Sequence, residues 1–268
     1  MKSGVLFLTY KCNFDCHYCW QRQGNSLGEY LPTPFIEKEK WVKAINRLNL
    51  GILDISGGEP FLQPDFVDML AELNCNIGMT SNLSKPLTEF VQRISPSKVI
   101  SITASYHPSQ RMSIDQFFGR IMLLKNKGFH VTVNYVAHPD QMYLIPAVKM
   151  QVERLGFRFH VDPYVPYTDK YEFTEVEKDF LKPFVNEDRS YYLKDKIESV
   201  KMCSAGNKHI HIQPNGDAYR CYTDYVEKKE SLGNVFDNGF KLEKKDGECE
   251  HWSRCLGCDR DKVDIYDK

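Results

Sequence analysis

Several features that define common protein classes are missing from this chain of 268 residues. No apolar run approaches the ~20 residues that a membrane-spanning helix needs, and the opening MKSGVLFLTY lacks the small-residue cleavage site of a secretory signal. A charge excess is missing too, because 35 Lys and Arg stand against 36 Asp and Glu. That balance disfavours nucleic acid or an anionic membrane as the main partner. We therefore expect a cytoplasmic protein.

Cysteine is absent from the long stretch between Cys75 and Cys203, which separates two clusters near the ends of the chain. The nine cysteines are Cys12, Cys16, Cys19, Cys75, Cys203, Cys221, Cys249, Cys255 and Cys258. Because the cytosol keeps thiols reduced, structural disulfides are disfavoured and the clusters indicate metal sites. Cys75 lies between a predicted helix and a predicted strand, and we interpret it as a small buried residue.

Strand-like and helix-like runs alternate over the first two thirds of the sequence. Predicted strands cover 5–10, 52–56, 76–81, 98–105, 130–137 and 157–165, and predicted helices cover 34–48, 64–73, 87–94, 113–128 and about 141–155. Such alternation predicts an α/β fold with a parallel sheet. Because the units stop near residue 165, a partial (β/α)6 barrel fits better than a closed eight-stranded barrel.

We divide the chain into three parts. Residues 1–168 form the barrel, 169–199 a helical connector, and 200–268 a small cysteine-rich extension built from a hairpin and a helix. The segment 173–185 is predicted as a helix that ends or kinks at Pro183. In the extension, alternating apolar residues on both sides of PNGD predict a hairpin over 209–222.

The stretch YKCNFDCHYCW at 10–20 spaces Cys12, Cys16 and Cys19 as C-x3-C-x2-C. Three thiolates cannot close a tetrahedral zinc site alone, but they can hold three irons of a 4Fe–4S cluster and leave the fourth iron open. The loop follows the first predicted strand, at the strand end where parallel α/β proteins place their chemistry. The alternative is a zinc loop completed by a distant residue such as His17 or Cys75.

A second motif, SGGEP at 56–60, directly follows the second predicted strand. Two glycines let the backbone approach a ligand closely, and Glu59 and Pro60 stiffen the turn. Together with the cysteine triplet and Tyr18 before its third cysteine, this motif resembles the signature of the radical S-adenosylmethionine (radical SAM) superfamily. The resemblance implies that the turn of Gly57, Gly58, Glu59 and Pro60 binds the amino group of SAM.

The resemblance also implies the chemistry. The open iron would bind SAM, and one electron would cleave it to a 5′-deoxyadenosyl radical that abstracts a hydrogen atom from the substrate. A low-potential flavodoxin or ferredoxin would supply the electron. At the ends of the third to fifth strands, Asn82, Ser105 and Asn134 would contact the ribose and carboxylate of SAM, with turn formation or capping as the alternative. His107 and Tyr164 are candidate substrate-pocket residues.

The C-terminal cysteines resemble the SPASM and twitch extensions of the same superfamily, and the shorter twitch type fits better because this region has only five cysteines. The resemblance implies an auxiliary 4Fe–4S cluster on Cys203, Cys221, Cys255 and Cys258, and a four-thiolate structural zinc stays open as the alternative. Cys249 is left over. It could replace one of these ligands, be an idle surface thiol, or donate a hydrogen atom to a substrate radical, because an S–H bond is weaker than most C–H bonds.

The motifs leave the substrate open. Because the barrel begins almost at Met1, without a preceding leader-binding domain, we expect a small hydroxylated molecule that is epimerised or dehydrogenated. The alternative is a maturase that epimerises or cross-links a ribosomal peptide. A zinc-stabilised binding protein is the non-radical alternative.

Overall fold

The computed structural model describes residues 1–19, 34–164, 171–186, 193, 197, 199–242, 245–253 and 262–268. The strands are β1 (Ser3–Phe7), β2 (Ile52–Ser56), β3 (Asn76–Ser81), β4 (Val99–Ser105), β5 (Val131–Ala137), β6 (Arg158–Pro163), β7 (Lys201–Cys203), β8 (His209–Ile212), β9 (Asp217–Tyr219), β10 (Gly233–Asn234), β11 (Gly247–Cys249) and β12 (Ile265–Tyr266). The helices are α1 (Lys38–Leu48), α2 (Phe66–Glu72), α3 (Thr88–Arg93), α4 (Ile114–Asn126), α5 (Ile145–Arg154), α6 (Glu175–Leu181) and α7 (Tyr222–Val226).

The main sheet runs in the order β10-β9-β8-β1-β2-β3-β4-β5-β6 among the described residues. Strands β1 to β6 pair in parallel with their neighbours, as the alternation of strand and helix predicts. The two edge strands, β10 and β6, do not pair with each other, so the sheet is open. This confirms the predicted partial barrel.

Successive residues of a strand point to opposite faces of the sheet, so the two faces carry different side chains. Leu6 and Val133 pack with helical residues such as Trp41 and Phe117 in one large apolar core. Val5, the neighbour of Leu6, belongs instead to a separate cluster on the other face. That second face, here called the concave face, is the one not covered by helices α1 to α5.

Element boundaries differ from the sequence prediction at the N-terminal end. Strand β1 covers Ser3–Phe7 rather than 5–10, because the carbonyls of Thr9 and Lys11 bond to the SGGEP turn instead of continuing the sheet. Helix α1 starts at Lys38 rather than at residue 34. The preceding Ile36 carbonyl accepts a hydrogen bond from Gln63 Nε2 at 2.8 Å, which ties this segment to the loop after β2.

Other sequence signals are confirmed. Ser113 caps α4 by accepting from Gln116 N, in a capping box, and Gly128 follows with a φ of 87°. Helix α6 ends at Leu181, two residues before Pro183. Within the described residues, none of the helices has both the length and the apolarity to cross a membrane.

The predicted hairpin forms β8 and β9 around the PNGD turn, but it does not stand apart from the barrel. Strand β8 pairs in parallel with β1, with Ser3 opposite His209 and Leu6 opposite Ile212. The remaining short strands β7, β11 and β12 form a separate three-stranded sheet. The hairpin therefore joins the core sheet to this second sheet.

Candidate functional site

The cysteine loop lies beyond the C-terminal end of β1. Cys12 is exposed, Cys16 is buried and Cys19 is partly buried. A tight turn joins the last two, with Cys19 N donating to Cys16 O at 3.0 Å, and Phe14 N points at Cys12 Sγ at 3.4 Å. The structure therefore brings the three predicted ligands into one short loop.

The electrostatics of these thiols fit an iron–sulfur cluster. Burial, and to a lesser extent negative charge on Cys19 and Cys12, raises the pKa of the Cys16 thiol to about 12. This thiol therefore stays protonated at neutral pH unless a cation lies beside it. Iron supplies that positive charge, and thiolates are the ligands that hold iron–sulfur clusters.

The SGGEP turn packs directly against the backbone of the cysteine loop. Gly58 N donates to Thr9 O at 2.6 Å, and Glu59 N donates to Lys11 O at 2.9 Å. A Cβ on Gly57 would lie 2.3 Å from Thr9 O, and one on Gly58 would lie 2.1 Å from Lys11 O. The sequence predicts that these glycines let a ligand approach, whereas the structure shows that the neighbouring loop already requires them.

Glu59 ties this turn to the end of β3. Its carboxylate is fully buried and accepts hydrogen bonds from Ser81 Oγ at 2.8 Å, Asn82 N at 2.8 Å and Phe61 N at 3.1 Å. Burial nevertheless raises the pKa of Glu59 to about 7, because desolvation outweighs these hydrogen bonds. Glu59 thus holds β3 against the turn.

Asn82 lies beside the cysteine loop. Its side-chain Nδ2 is 3.7 Å from Cys12 Sγ and 3.4 Å from Asn13 Oδ1. Its Oδ1 accepts from Ser84 N at 2.8 Å, which is the turn-forming contact that the sequence analysis kept as an alternative. The same amide therefore both shapes the turn and faces the predicted cluster.

Ser105 and Asn134 lie opposite each other at the ends of β4 and β5. Their neighbours Ala104 and Val133 belong to the helix-covered core, so Ser105 and Asn134 are on the concave face. Asn134 is 9% exposed. The sheet therefore brings both predicted contacts to the edge that carries the cysteine loop.

Tyr18 is stacked between two histidines. The centroid of the Tyr18 ring lies 5.9 Å from that of His107 and 5.5 Å from that of His138. The Tyr18 hydroxyl lies 3.0 Å from His107 Nδ1. His138 in turn contacts the Tyr164 ring at 4.6 Å. Burial lowers the pKa of His107 to about 4, so that its imidazole is neutral at neutral pH. The two predicted pocket residues, His107 and Tyr164, thus belong to one aromatic wall with Tyr18.

Sequence analysis missed a polar group on β6. Arg158, His160 and Asp162 alternate along this strand, and His160 pairs in register with Asn134 of the concave face. His160 Nε2 lies 3.2 Å from Asp162 Oδ1, and its Nδ1 accepts from Asn186 Nδ2 at 2.8 Å. The polar-apolar alternation in RFHVD is the signal that predicts this row of side chains.

The C-terminal cysteines also converge where the structure describes them. One small apolar cluster contains Ala205, Val263 and three cysteines, which are Cys203 on β7, Cys249 on β11 and Cys221. The other two predicted ligands, Cys255 and Cys258, lie outside the described residues.

Cys75 does not complete either site. It is buried in the main apolar core, directly before the first residue of β3, so it sits at the opposite end of the parallel strands from the cysteine loop. The interpretation of Cys75 as a small buried residue is confirmed, and the zinc loop closed by Cys75 is excluded. His17 lies 3.4 Å from the exposed Asp140 carboxylate, directed away from the core.

Two family models match the chain. The Radical SAM superfamily model matches residues 6–143, more than half of the sequence. The SPASM iron–sulfur cluster-binding domain matches residues 203–242, which contain Cys203 and Cys221.

Similar proteins point the same way. The chain is 23% identical to the PqqA peptide cyclase of Granulibacter bethesdensis, covering 96% of this chain and 79% of that protein. It is 23% identical to the GTP 3′,8-cyclase of Staphylococcus haemolyticus, covering 77% of this chain and 62% of that protein. The crystal structure of Streptococcus suis SuiB bound to precursor peptide SuiA superimposes with a TM-score of 0.61 at 16% identity, over 88% of this chain and 62% of that one.

The motifs, the open parallel sheet and the matched models agree. The cofactors implied by both models are SAM, the 4Fe–4S cluster that binds it, and auxiliary iron–sulfur chemistry in the C-terminal region. The chain belongs to the radical SAM superfamily and carries a SPASM-type iron–sulfur region.

Proposed function

We propose that this protein is a radical SAM maturase that modifies a peptide. The observation that carries the proposal is the extent of the similarity to the PqqA peptide cyclase, which runs through both cysteine regions over 96% of the chain. Similarity to the GTP 3′,8-cyclase covers 77% of the chain. This reverses the preference of the sequence analysis for a small hydroxylated substrate.

The concave face supports this proposal by its chemistry. Polar groups of β6, including His160 and Asp162, share that face with Asn134, and the wall of Tyr18 and Tyr164 borders it. A peptide offers amide hydrogen-bonding groups and apolar side chains together. A face that combines polar side chains with a bordering wall of largely buried aromatic rings suits such a substrate.

In this proposal Cys12, Cys16 and Cys19 hold the SAM-binding cluster. When bound and reduced, the cluster and SAM together supply the 5′-deoxyadenosyl radical that removes a substrate hydrogen atom. Asn82 directs its amide at the cysteine loop, and Glu59 fixes the end of β3 that carries Asn82. A flavodoxin or ferredoxin is the proposed electron donor.

The auxiliary cluster is proposed on Cys203, Cys221, Cys255 and Cys258. Cys249 packs with Cys203 and Cys221. To act as a cluster ligand or as a hydrogen donor, Cys249 must lie near the other cysteines of this site. An idle surface thiol has no such requirement. We therefore propose that Cys249 acts at the auxiliary site, with the hydrogen-donor role as the specific prediction.

The decisive experiment compares substrates with the reconstituted full chain. After anaerobic reconstitution with iron and sulfide, SAM and dithionite are added with short peptides encoded beside the gene, or with GTP. Peptide should accelerate 5′-deoxyadenosine formation and lose two hydrogen atoms on cross-linking, or gain solvent deuterium on epimerisation. Acceleration by GTP alone would overturn the peptide proposal. Zinc without iron in the anaerobic protein would support the binding-protein alternative.

A further inference from the structure

Arg220 directly precedes Cys221, and its side chain reaches the other two cysteine-bearing strands of the extension. Nε donates to Ala205 O at 3.1 Å, Nη1 to Glu248 O at 3.3 Å and Nη2 to Cys203 O at 3.5 Å. Ala205 and Glu248 lie next to the segments that carry Cys203 and Cys249. One guanidinium thus connects three segments through their backbones.

Two glycines make room for this side chain. A Cβ on Gly247 would lie 2.5 Å from Arg220 Cζ, and a Cβ on Gly206 would lie 2.8 Å from Arg220 Cγ. Gly206 also has a φ of 89°, a conformation that disfavours other residues. The backbone on both sides of Arg220 is therefore shaped to admit a guanidinium and little else.

The guanidinium of Arg220 is hydrogen-bonded to carbonyl oxygens, while Asp246, whose charge interacts with that of Arg220, is hydrogen-bonded to Asn207 and Tyr266. Within the described part of the chain, no carboxylate lies within ion-pair distance of its guanidinium, and its hydrogen-bond partners are the three carbonyls. An always-charged group therefore stays beside the thiols of Cys203, Cys221 and Cys249. A cation near an anionic cluster stabilises the more negative, reduced state.

We propose that Arg220 positions Cys203, Cys221 and Cys249 and raises the reduction potential of the cluster at the auxiliary site. The proposal rests on the auxiliary cluster proposed above. Arg220 acts through the backbone and through its field, so it is a positioning residue. A lysine at this position would keep the charge but lose the planar fork that spans three carbonyls.

The test uses the full chain with Cys12, Cys16 and Cys19 replaced by alanine, so that the auxiliary cluster alone gives an EPR signal. Arg220→Gln should shift the midpoint potential of that cluster to more negative values, and Arg220→Lys should leave it close to the parent value. Both should lower the melting temperature of the cluster-loaded protein, because both lose the fork.

Arg47 offers a matched control. Its Nη2 donates to Asp237 O at 2.7 Å and its Nη1 to Asn238 Oδ1 at 3.3 Å, so it ties α1 to the loop after β10 rather than to the segments of Cys203, Cys221 or Cys249. Arg47→Gln removes contacts of the same kind and should leave the potential unchanged. Equal shifts in Arg47→Gln and Arg220→Gln would overturn the electrostatic proposal.

A second variant keeps the test valid if Arg220→Gln fails to assemble a cluster. Gly247→Ala retains the charge but displaces the guanidinium, and should shift the potential in the same direction as Arg220→Gln. Gly239→Ala, where an added Cβ meets nothing within 4 Å, should have no effect. An unchanged potential and melting temperature in Gly247→Ala would contradict the proposal. Absence of any cluster from the parent protein would instead refute the auxiliary-cluster assignment, and with it the role of Arg220 at that cluster.

Discussion

The two cysteine regions of this protein are supported in very different ways. The N-terminal loop rests on a large barrel core, and the SGGEP turn bonds to its backbone at Thr9 and Lys11. The C-terminal cysteines rest on strands of two or three residues. Their buried apolar cluster consists of Cys203, Ala205 and Val263. Contacts with the barrel therefore support the first region, whereas the described residues of the second bury little apolar area.

We expect from this difference that the two clusters have different roles. Burial of a few side chains contributes only about 2 kcal/mol each, which is a small gain against the conformational entropy of the C-terminal segment. A cluster there contributes to folding as well as to chemistry. At the N-terminal loop the barrel core supplies the stability, so that the main contribution of the cluster is chemistry.

The largest effect is expected from removing the SAM cluster. Replacing Cys12, Cys16 and Cys19 together by alanine should abolish 5′-deoxyadenosine formation, because SAM loses its iron. The melting temperature should change little, since the barrel core does not depend on the loop. Product assay and calorimetry on one preparation measure both.

Cys75→Ala is the control, because it removes a buried thiol from the barrel without touching either metal region. It should retain full iron content and full SAM cleavage. Continued 5′-deoxyadenosine formation by the triple variant would contradict the assignment of the three ligands.

Removing an auxiliary ligand should affect stability more than removal of the N-terminal triplet does. Cys203→Ala should lose the auxiliary iron and lower the free energy of unfolding by roughly 3 kcal/mol or more, since the metal holds the short strands together. Iron analysis and chemical unfolding under anaerobic conditions measure this. A melting curve equal to that of the parent would show that the extension folds by itself.

Cys249→Ala tests the role of Cys249 at the auxiliary site. We expect both clusters to remain and 5′-deoxyadenosine to form with substrate, yet no stereochemically inverted product, because the second hydrogen donor is missing. Iron content and chiral analysis of the product decide the outcome. Loss of auxiliary iron would make Cys249 a ligand, and unchanged product would make it idle.

The smallest effect concerns the buried carboxylate of the barrel. Because desolvation raises the pKa of Glu59 to about 7, the folded state holds a proton that the unfolded state releases near pH ~4.5. This contribution to stability is complete at low pH and is lost as the pH rises through about 7. From about pH 6 to about pH 8.5, the parent should lose about 1 kcal/mol of stability relative to Glu59→Gln.

Glu177→Gln is the matched control for this pH series. Although desolvation opposes it, hydrogen bonds from Tyr171 and Thr174 lower the pKa of Glu177, so this carboxyl is ionised in both states across the same range. Its effect on stability should not vary with pH. A Glu59→Gln difference that is equally flat would mean that the buried carboxyl stays ionised.

The sequence by itself determined the parallel α/β fold, the cysteine triplet and the hairpin around PNGD, because these depend on local periodicity, spacing and turn chemistry. The comparisons with known proteins confirm the family and its cofactors. Sequence patterns predict less well those roles that depend on contacts between residues far apart in the chain. The need for Gly57 and Gly58 comes from the backbone at Thr9 and Lys11, nearly 50 residues earlier.

Only the tertiary structure decided which polar groups meet. Glu59 reaches Ser81 and Asn82, and Arg220 reaches Cys203 O and Glu248 O, through chain crossings that no short window of sequence records. Strand pairing places β8 beside β1, so the hairpin that leads to Cys221 belongs to the same sheet as the strand that leads to the N-terminal cysteine loop. Local patterns specify elements, whereas the packing of elements that are distant in sequence specifies the environment of each functional side chain.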